Sequence, residues 1–448
     1  RDAALDRRLV PYDILGSIAH ARGLERIGML DAGQADALRT ALADLHAQWE
    51  QGRFGVQPDD EDVHTALERA LVERLGEVGR MIHAGRSRND QVLTALRLYM
   101  KDALLGLMRQ VASLALAACE AGQEHALEIM PGTTHGRRAM PSSVGFWYAS
   151  LAEGWADALE AGRALHARLD ASPLGAAAGF GVPLPLDRGH TALLMGFGRV
   201  HANAQAVQNS RGRLEAALLT WLVEVGRDVE KMATDLMIFS SAEAGFAGLP
   251  PELCTGSSIM PQKRNPDVLE LLRASCQVIR SCRDEVEAVI AKLPSGYQRD
   301  LQLTKEPLVR GIDAAGAMVR VAGMVIGRIE WDAAGLEQAC STEIFAAHRA
   351  TALARGGVAF RDAYLVAAAE LERGETDLWD RDPASVLGAL AHTGAPGNPG
   401  LVEAGDRIRA AGSWVDGVQR ELSRVWEALL GGPVAAGVTA HGADRPTC

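Results

Sequence analysis

Four segments of this sequence run for more than two dozen residues with few helix-breaking positions inside them: Leu93 to Ile129, Ser143 to Leu169, Leu214 to Ala242 and Pro266 to Lys292. A helix of that length spans roughly 40 Å, too long to be wrapped by a small core, so such helices have to lie side by side as a bundle. In Leu214 to Ala242 the apolar positions 218, 219, 222, 225, 229, 232, 236 and 239 keep steps of three and four, the spacing of one buried stripe. Strand-like alternation of Val, Ile, Thr and aromatics is scarce, and Ala, Leu, Glu and Arg fill the long segments. The sequence therefore predicts an all-α fold with a central bundle of long helices.

At 448 residues the chain has room for about three ordinary domains or one large elongated core. We expect a helical N-terminal region over 1–87, a long-helix region over 88–341 and a smaller helical region over 342–448. With 48% hydrophobic and 23% charged residues the composition is that of a globular chain, and no run of about 18 purely apolar residues points to a membrane span. The net charge of −11, with no basic block, argues against a nucleic-acid partner. An anionic small molecule would have to be drawn in by local Arg and Lys. The cysteines at 119, 254, 276, 282, 340 and 448 contain no CxxC pair, so neither a zinc site nor a disulfide framework is expected, and reduced thiols in a cytoplasm are. The sequence opens on Arg1 without a signal-type apolar core, so targeting is not expected and a few preceding residues are.

Polar, Gly- or Pro-marked connections separate the long helices. "HAGRSRNDQ" (His83 to Gln91), "MPGTTHGRRAMPSS" (Met130 to Ser143), "TGSSIMPQKRNPD" (Thr255 to Asp267) and "LPSGYQRDLQLTKE" (Leu293 to Glu306) all read as loops, as does Arg381 to Gly400. A further stretch, Ser172 to Arg188, is rich in Gly and Pro, but its glycines follow no expected strand and do not suit a dinucleotide site.

The Thr255 stretch concentrates the most chemistry. Asn265-Pro266-Asp267 predicts a helix start, with Asn as cap, Pro at the first helical position and Asp at the positive end of the dipole. Upstream, Gly256 and two serines bend freely. Two hydroxyls, backbone N–H groups, Lys263, Arg264 and a helix N-terminus together suit an anion under a loop that closes.

"GSSIMPQKRNPD" resembles the GSSxMPxKxNP signature of the fumarase, aspartase and argininosuccinate lyase superfamily. Within it, "DEDVHTALE" (Asp60 to Glu68), "HAGRSRNDQV" and "LPSGYQRDLQ" resemble the argininosuccinate lyase family. The resemblance runs from about Leu5 to beyond Lys305. It implies an all-α, three-domain subunit whose long-helix bundle forms the core of a homotetramer, with active sites shared between subunits. It also implies reversible elimination of fumarate from argininosuccinate to give arginine, without metal or organic cofactor.

The same resemblance assigns roles. Ser257 is the base that removes the proton beside the substrate carboxylate. Lys263 stabilises the resulting doubly charged aci-carboxylate, a task for donors already in place. His135 opposes the serine and Glu270 is its carboxylate partner. Asn89 and Thr134 bind the succinyl part and Asn265 is a further binding position, with Arg88 and its neighbour Arg86 as candidates for bidentate carboxylate pairing. Tyr297, Gln302 and Lys305 meet the amino-acid end of arginine. Asp62 and His64 shape the pocket.

Departures from the family pattern bear on specificity. Thr-His-Leu-Gln becomes Thr134-His135-Gly136-Arg137, with Met140 where a Gln is usual. A Ser-x-Arg-Asp motif becomes Ser210-Arg211-Gly212-Arg213, and a substrate-binding Ser aligns with Asp2. They keep open a lyase of the same superfamily acting on another N-substituted aspartate, and a further alternative is a non-catalytic protein like the crystallins related to this family.

Overall fold

The computed structural model describes residues 5–57 and 59–432. Asp2 and Cys448 lie outside the described residues. The helices of ten residues or more are α1 (Val10–Arg26), α2 (Ala32–Glu50), α3 (Val63–Leu75), α4 (Arg88–Glu124), α5 (Val144–Leu169), α6 (Arg213–Phe239), α7 (Asp267–Ile290), α8 (Lys305–Ile326), α9 (Ala346–Arg355), α10 (Phe360–Arg373) and α11 (Leu401–Leu430). The expected all-α architecture is what the chain adopts, with only short two-stranded pairings beside the helices among the described residues.

Helices α4, α5, α6, α7 and α8 form the bundle, and the predicted stripe on α6 is its interior. Leu218, Leu219, Leu222, Val225, Val229, Met232 and Leu236 are all buried. Two indoles lock neighbouring helices: Trp155 Nε1 donates to Val225 O at 3.4 Å, and Trp221 Nε1 donates to Ala158 O at 2.7 Å. Glycine permits the closest approach of α4 and α5. A Cβ on Gly145 would stand 2.6 Å from Gly122 O.

The longest helix, α4, begins with a capping box in which Ser87 N donates to Asp90 Oδ1 at 3.1 Å. Its most apolar 18-residue window has a mean hydropathy of 1.3, enough in length and composition to cross a membrane. Ahead of that window the same helix carries Arg97 and Lys101, which a lipid-facing helix could not carry without cost. Here both are buried and paired. Arg97 donates to Ala171 O at 2.8 Å and Ser210 Oγ at 3.0 Å, and Lys101 donates to Gly196 O at 2.7 Å and pairs with Asp170. Burial pulls the Arg97 guanidinium down to about 10. More than half of the window is inside the protein, so α4 reads as a core helix.

Several sequence expectations change. Met130 to Ser143 is not a plain loop but mostly an antiparallel hairpin of β1 (Ile129–Thr134) and β2 (Arg137–Ser143). Its turn is His135-Gly136, with φ of 53° and 67°, the double left-handed pair of a type I′ turn. Gly136 is what makes that turn inexpensive. Asn265 does not cap α7: Pro266 occupies the N-cap, no side chain caps it, and the Asn265 amide donates to Gly256 O at 3.5 Å instead. Within Arg381 to Gly400, Pro383–Ala389 is helical, because Asp382 accepts from Ser385 N at 2.8 Å and Pro383 suits the first turn. A two-residue strand, Ala171–Ser172, precedes the Gly-rich stretch and pairs in parallel with Arg199–Val200.

The main apolar core runs from Leu9 to Leu429 and includes α11, which returns to pack on α4 and α5. A second, smaller core gathers Ile344, Phe345, Ala350, Ala363, Ala367, Trp379, Val386 and Leu387, and Ile129 of β1 joins it. The hairpin is thereby seated on the second core.

Candidate active site

The expected site residues fall into four groups. On the first turn of α4, Arg88 pairs with Glu61 and donates to Thr65 Oγ1 at 3.1 Å, while Asn89 is half-buried beside it. Asp62 caps α3, accepting from Thr65 N at 2.8 Å. Below them His64 Nδ1 meets Asp13 Oδ2 at 2.9 Å, and Gln91 donates to the same carboxylate at 3.1 Å. Arg86 donates to Ser17 Oγ at 3.0 Å. Asp62, His64 and Arg86 therefore brace the surface that carries Asn89.

The second group is the signature loop. Thr255–Gly256 pairs antiparallel with Arg264–Asn265, which closes a lasso over 257–263. Inside it Ser257 Oγ accepts from Ile259 N at 3.4 Å and Met260 N at 3.2 Å, and Lys263 N donates to Met260 O at 3.1 Å. Lys263 and Glu270 are exposed, as is the apolar tip Ile259. The third group, Thr134 and His135, is exposed at the tip of the β1–β2 hairpin.

The fourth group closes the opposite end of α7. Gln302 Nε2 donates to Tyr297 Oη at 3.2 Å, and Arg211 Nη2 donates to Gln302 Oε1 at 3.1 Å. Lys305 Nζ donates to Asp6 Oδ1 at 2.7 Å, with both side chains almost wholly buried. Sequence reading missed Asp6 and the part played by Arg211. The signal for Arg211 was its place in a motif that departs from the family pattern, whereas Asp6 carries no local signal.

The structure brings the first and fourth groups to one end of the bundle. Arg97 of α4 is bonded to Ser210, Leu93 packs with Val207, and Asn209 Nδ2 donates to Ser295 Oγ at 3.3 Å. It does not bring Asn89 to His135. From Asn89 to Glu124 a helix rises about 53 Å, and the residues from Glu124 to His135 reach less than about 40 Å even fully extended. No hydrogen bond or ion pair joins the four groups among the described residues.

This helical bundle carries a serine-bearing lasso at one end and Tyr297, Gln302 and Lys305 at the other. Residues 1–281 match the lyase family model. The fold is similar to the crystal structure of EDDS lyase in complex with formate, with a TM-score of 0.82 at 22% identity over 95% of this chain and 91% of that one. It is also similar to class II fumarase from Schistosoma mansoni, with a TM-score of 0.70 at 15% identity over 90% of this chain and 91% of that one. Among curated relatives, the argininosuccinate lyase of Sorangium cellulosum (strain So ce56) is 47% identical, covering 91% of this chain and 94% of its own length. The argininosuccinate lyase of Thermotoga neapolitana is 41% identical, covering 83% and 94%. The chain belongs to the argininosuccinate lyase family.

Proposed function

We propose that the chain catalyses the reversible elimination of argininosuccinate to L-arginine and fumarate, and so serves arginine biosynthesis. The observation that carries this reading is near-full-length identity of 47% to an argininosuccinate lyase, in a chain that keeps the signature lasso and the Tyr297–Gln302–Lys305 cluster.

In this reading Ser257 takes the proton from the carbon beside the succinyl carboxylate. The electron pair forms the carbon–carbon double bond as the carbon–nitrogen bond breaks. A serine hydroxyl is a poor base in water, so the lasso has to close and exclude solvent. Closure turns the Ile259 and Met260 N–H groups and Lys263 toward the developing aci-carboxylate. The leaving guanidine needs no obligatory acid, because the substrate guanidinium is already protonated with a pKa of about 12 or more. His135, oriented by Glu270, serves that end of the reaction as proton carrier or as the group that orients water.

Asn89, Thr134 and Asn265 hold the succinyl part with Arg88 at the rim, and Tyr297, Gln302 and Lys305 hold the amino-acid end. Because Asn89 and His135 of one chain cannot meet, we propose that each site is assembled from several copies in a homotetramer. Exposed Leu271 and Val278, one heptad apart on α7, favour such association. A cytoplasmic location and the division at 87 and 341 belong to the same proposal.

The test is a fumarate absorbance assay on argininosuccinate, with adenylosuccinate, aspartate and malate as competitors for the role of substrate. Turnover of argininosuccinate that disappears in Ser257→Ala supports the reading. A folded oligomer that turns over only another of these compounds overturns it.

A further inference from the structure

The motif in which the chain leaves its family's pattern, Ser210-Arg211-Gly212-Arg213, lies against the cluster assigned to the amino-acid end of the substrate. Gly212 has φ +77°, and a Cβ there would stand 2.2 Å from Ile290 Cγ2, so the backbone turns tightly at the end of α7. That turn places Arg211 beneath Tyr297 and Gln302. Arg211 is only 3% exposed. Its guanidinium carbon lies 5.4 Å from the centroid of the Tyr297 ring, a cation–π distance. Its Nη2 donates to Gln302 Oε1 at 3.1 Å, and its Nε is buried without a partner.

These contacts decide which way the Gln302 amide points. Guanidinium has donors only, so the amide oxygen must face Arg211. The amide nitrogen is then turned outward, where it donates to Tyr297 Oη and keeps a second proton free. Without Arg211 the amide can flip and offer its oxygen instead. A fixed donor, with Lys305 close in sequence, suits an α-carboxylate and not an α-ammonium. Asp6, paired with Lys305, offers the acceptor that an ammonium needs. Buried Glu215, whose carboxylate oxygens make no hydrogen bond, lies near enough to Arg211 and Arg97 to favour both cations.

We infer that Arg211 is a positioning residue that sets the recognition of the arginine α-carboxylate through Gln302 and Tyr297. This rests on the elimination reading above.

The test runs the reaction in the direction of synthesis, varying arginine and fumarate separately in Arg211→Met and Arg211→Lys tetramers. The α-decarboxylated analogue agmatine serves as an alternative to arginine. The inference expects the arginine KM to rise about tenfold in Arg211→Met, with the fumarate KM within about twofold of the wild type. It also expects the preference for arginine over agmatine to fall by a similar factor. Arg211→Lys keeps the charge but loses the planar fork, so it shows the same split at about threefold and serves alone if the Met variant does not fold. Equal rises for both substrates, or an unchanged arginine-to-agmatine preference, overturn the inference while leaving the enzyme reading intact. A wild-type chain without argininosuccinate turnover overturns both.

Discussion

Lys305, expected from sequence to meet substrate, is held by Asp6 from the N-terminal segment, Nζ to Oδ1 at 2.7 Å, with the two side chains 4% and 3% exposed. A cation in such a place depends on its partner, since breaking one half of a buried pair costs roughly 3–5 kcal/mol.

Asp6→Leu is therefore expected to lower the urea midpoint by an amount equivalent to about 3 kcal/mol, and Lys305→Met by a similar amount. The double variant recovers most of that loss without recovering turnover. Stability losses that simply add in the double variant would show that the two side chains do not act as a pair.

Ser257 and Lys263 sit on a lasso outside the core, so the roles in chemistry proposed for them separate from any role in folding. Ser257→Ala should lower kcat by about a thousandfold or more while the melting temperature stays within a degree or two. Lys263→Met should do the same. A Ser257→Ala enzyme that retains a tenth of wild-type turnover would remove the serine from the mechanism.

The separation of Asn89 from His135 along α4 makes a prediction about mixtures. Asn89→Ala and His135→Ala chains, each nearly inactive alone, should regain partial activity when unfolded together and reassembled, because some sites then draw both intact groups from different copies. Mixed oligomers confirmed by mass and still inactive would mean that the sites are not shared.

His135 depends on the backbone turn beneath it. Gly136→Asn, which tolerates the left-handed conformation, should leave stability and activity close to the wild type, whereas Gly136→Val should cost about 1–2 kcal/mol and most of the turnover. Equal behaviour of the two variants in melting and in the fumarate assay would rule out the turn as the determinant.

His20 is buried, its Nε2 donating to Ala84 O at 2.8 Å, and burial together with nearby Arg86 holds it down to about 3. The folded state then resists a proton that the unfolded state accepts below about 6.5. Its contribution to stability is complete above that pH and is lost as pH falls from 6.5 toward 3. His20→Gln removes the titration, so between pH 7 and pH 4.5 the wild type should lose about 2 kcal/mol more than the variant. Denaturant titrations at the two pH values measure the difference, and parallel losses would contradict the assignment.

The sequence by itself determined the class of fold, because apolar stripes at helical spacing in Leu214 to Ala242 leave one economical arrangement, a bundle. It also pointed to the reaction class through the resemblance of Gly256 to Asp267 to a superfamily signature, whose residues lie within a dozen positions of one another and need no folding to be recognised together. Tertiary structure decided what depends on contacts distant in sequence. The His135-Gly136 turn was legible only as loop chemistry until β1 met β2. Asn265 read as a cap, yet its side-chain amide donates to Gly256 O across the lasso instead. Asp6 carries no local signal because its meaning comes from Lys305, some three hundred residues away. Arg211 read as a departure from pattern, and only the packing of Gly212 against Ile290 brought it to Gln302. Local sequence fixes periodicity and turn chemistry, which act over a few residues. Burial and partner choice are set when distant segments exclude water together.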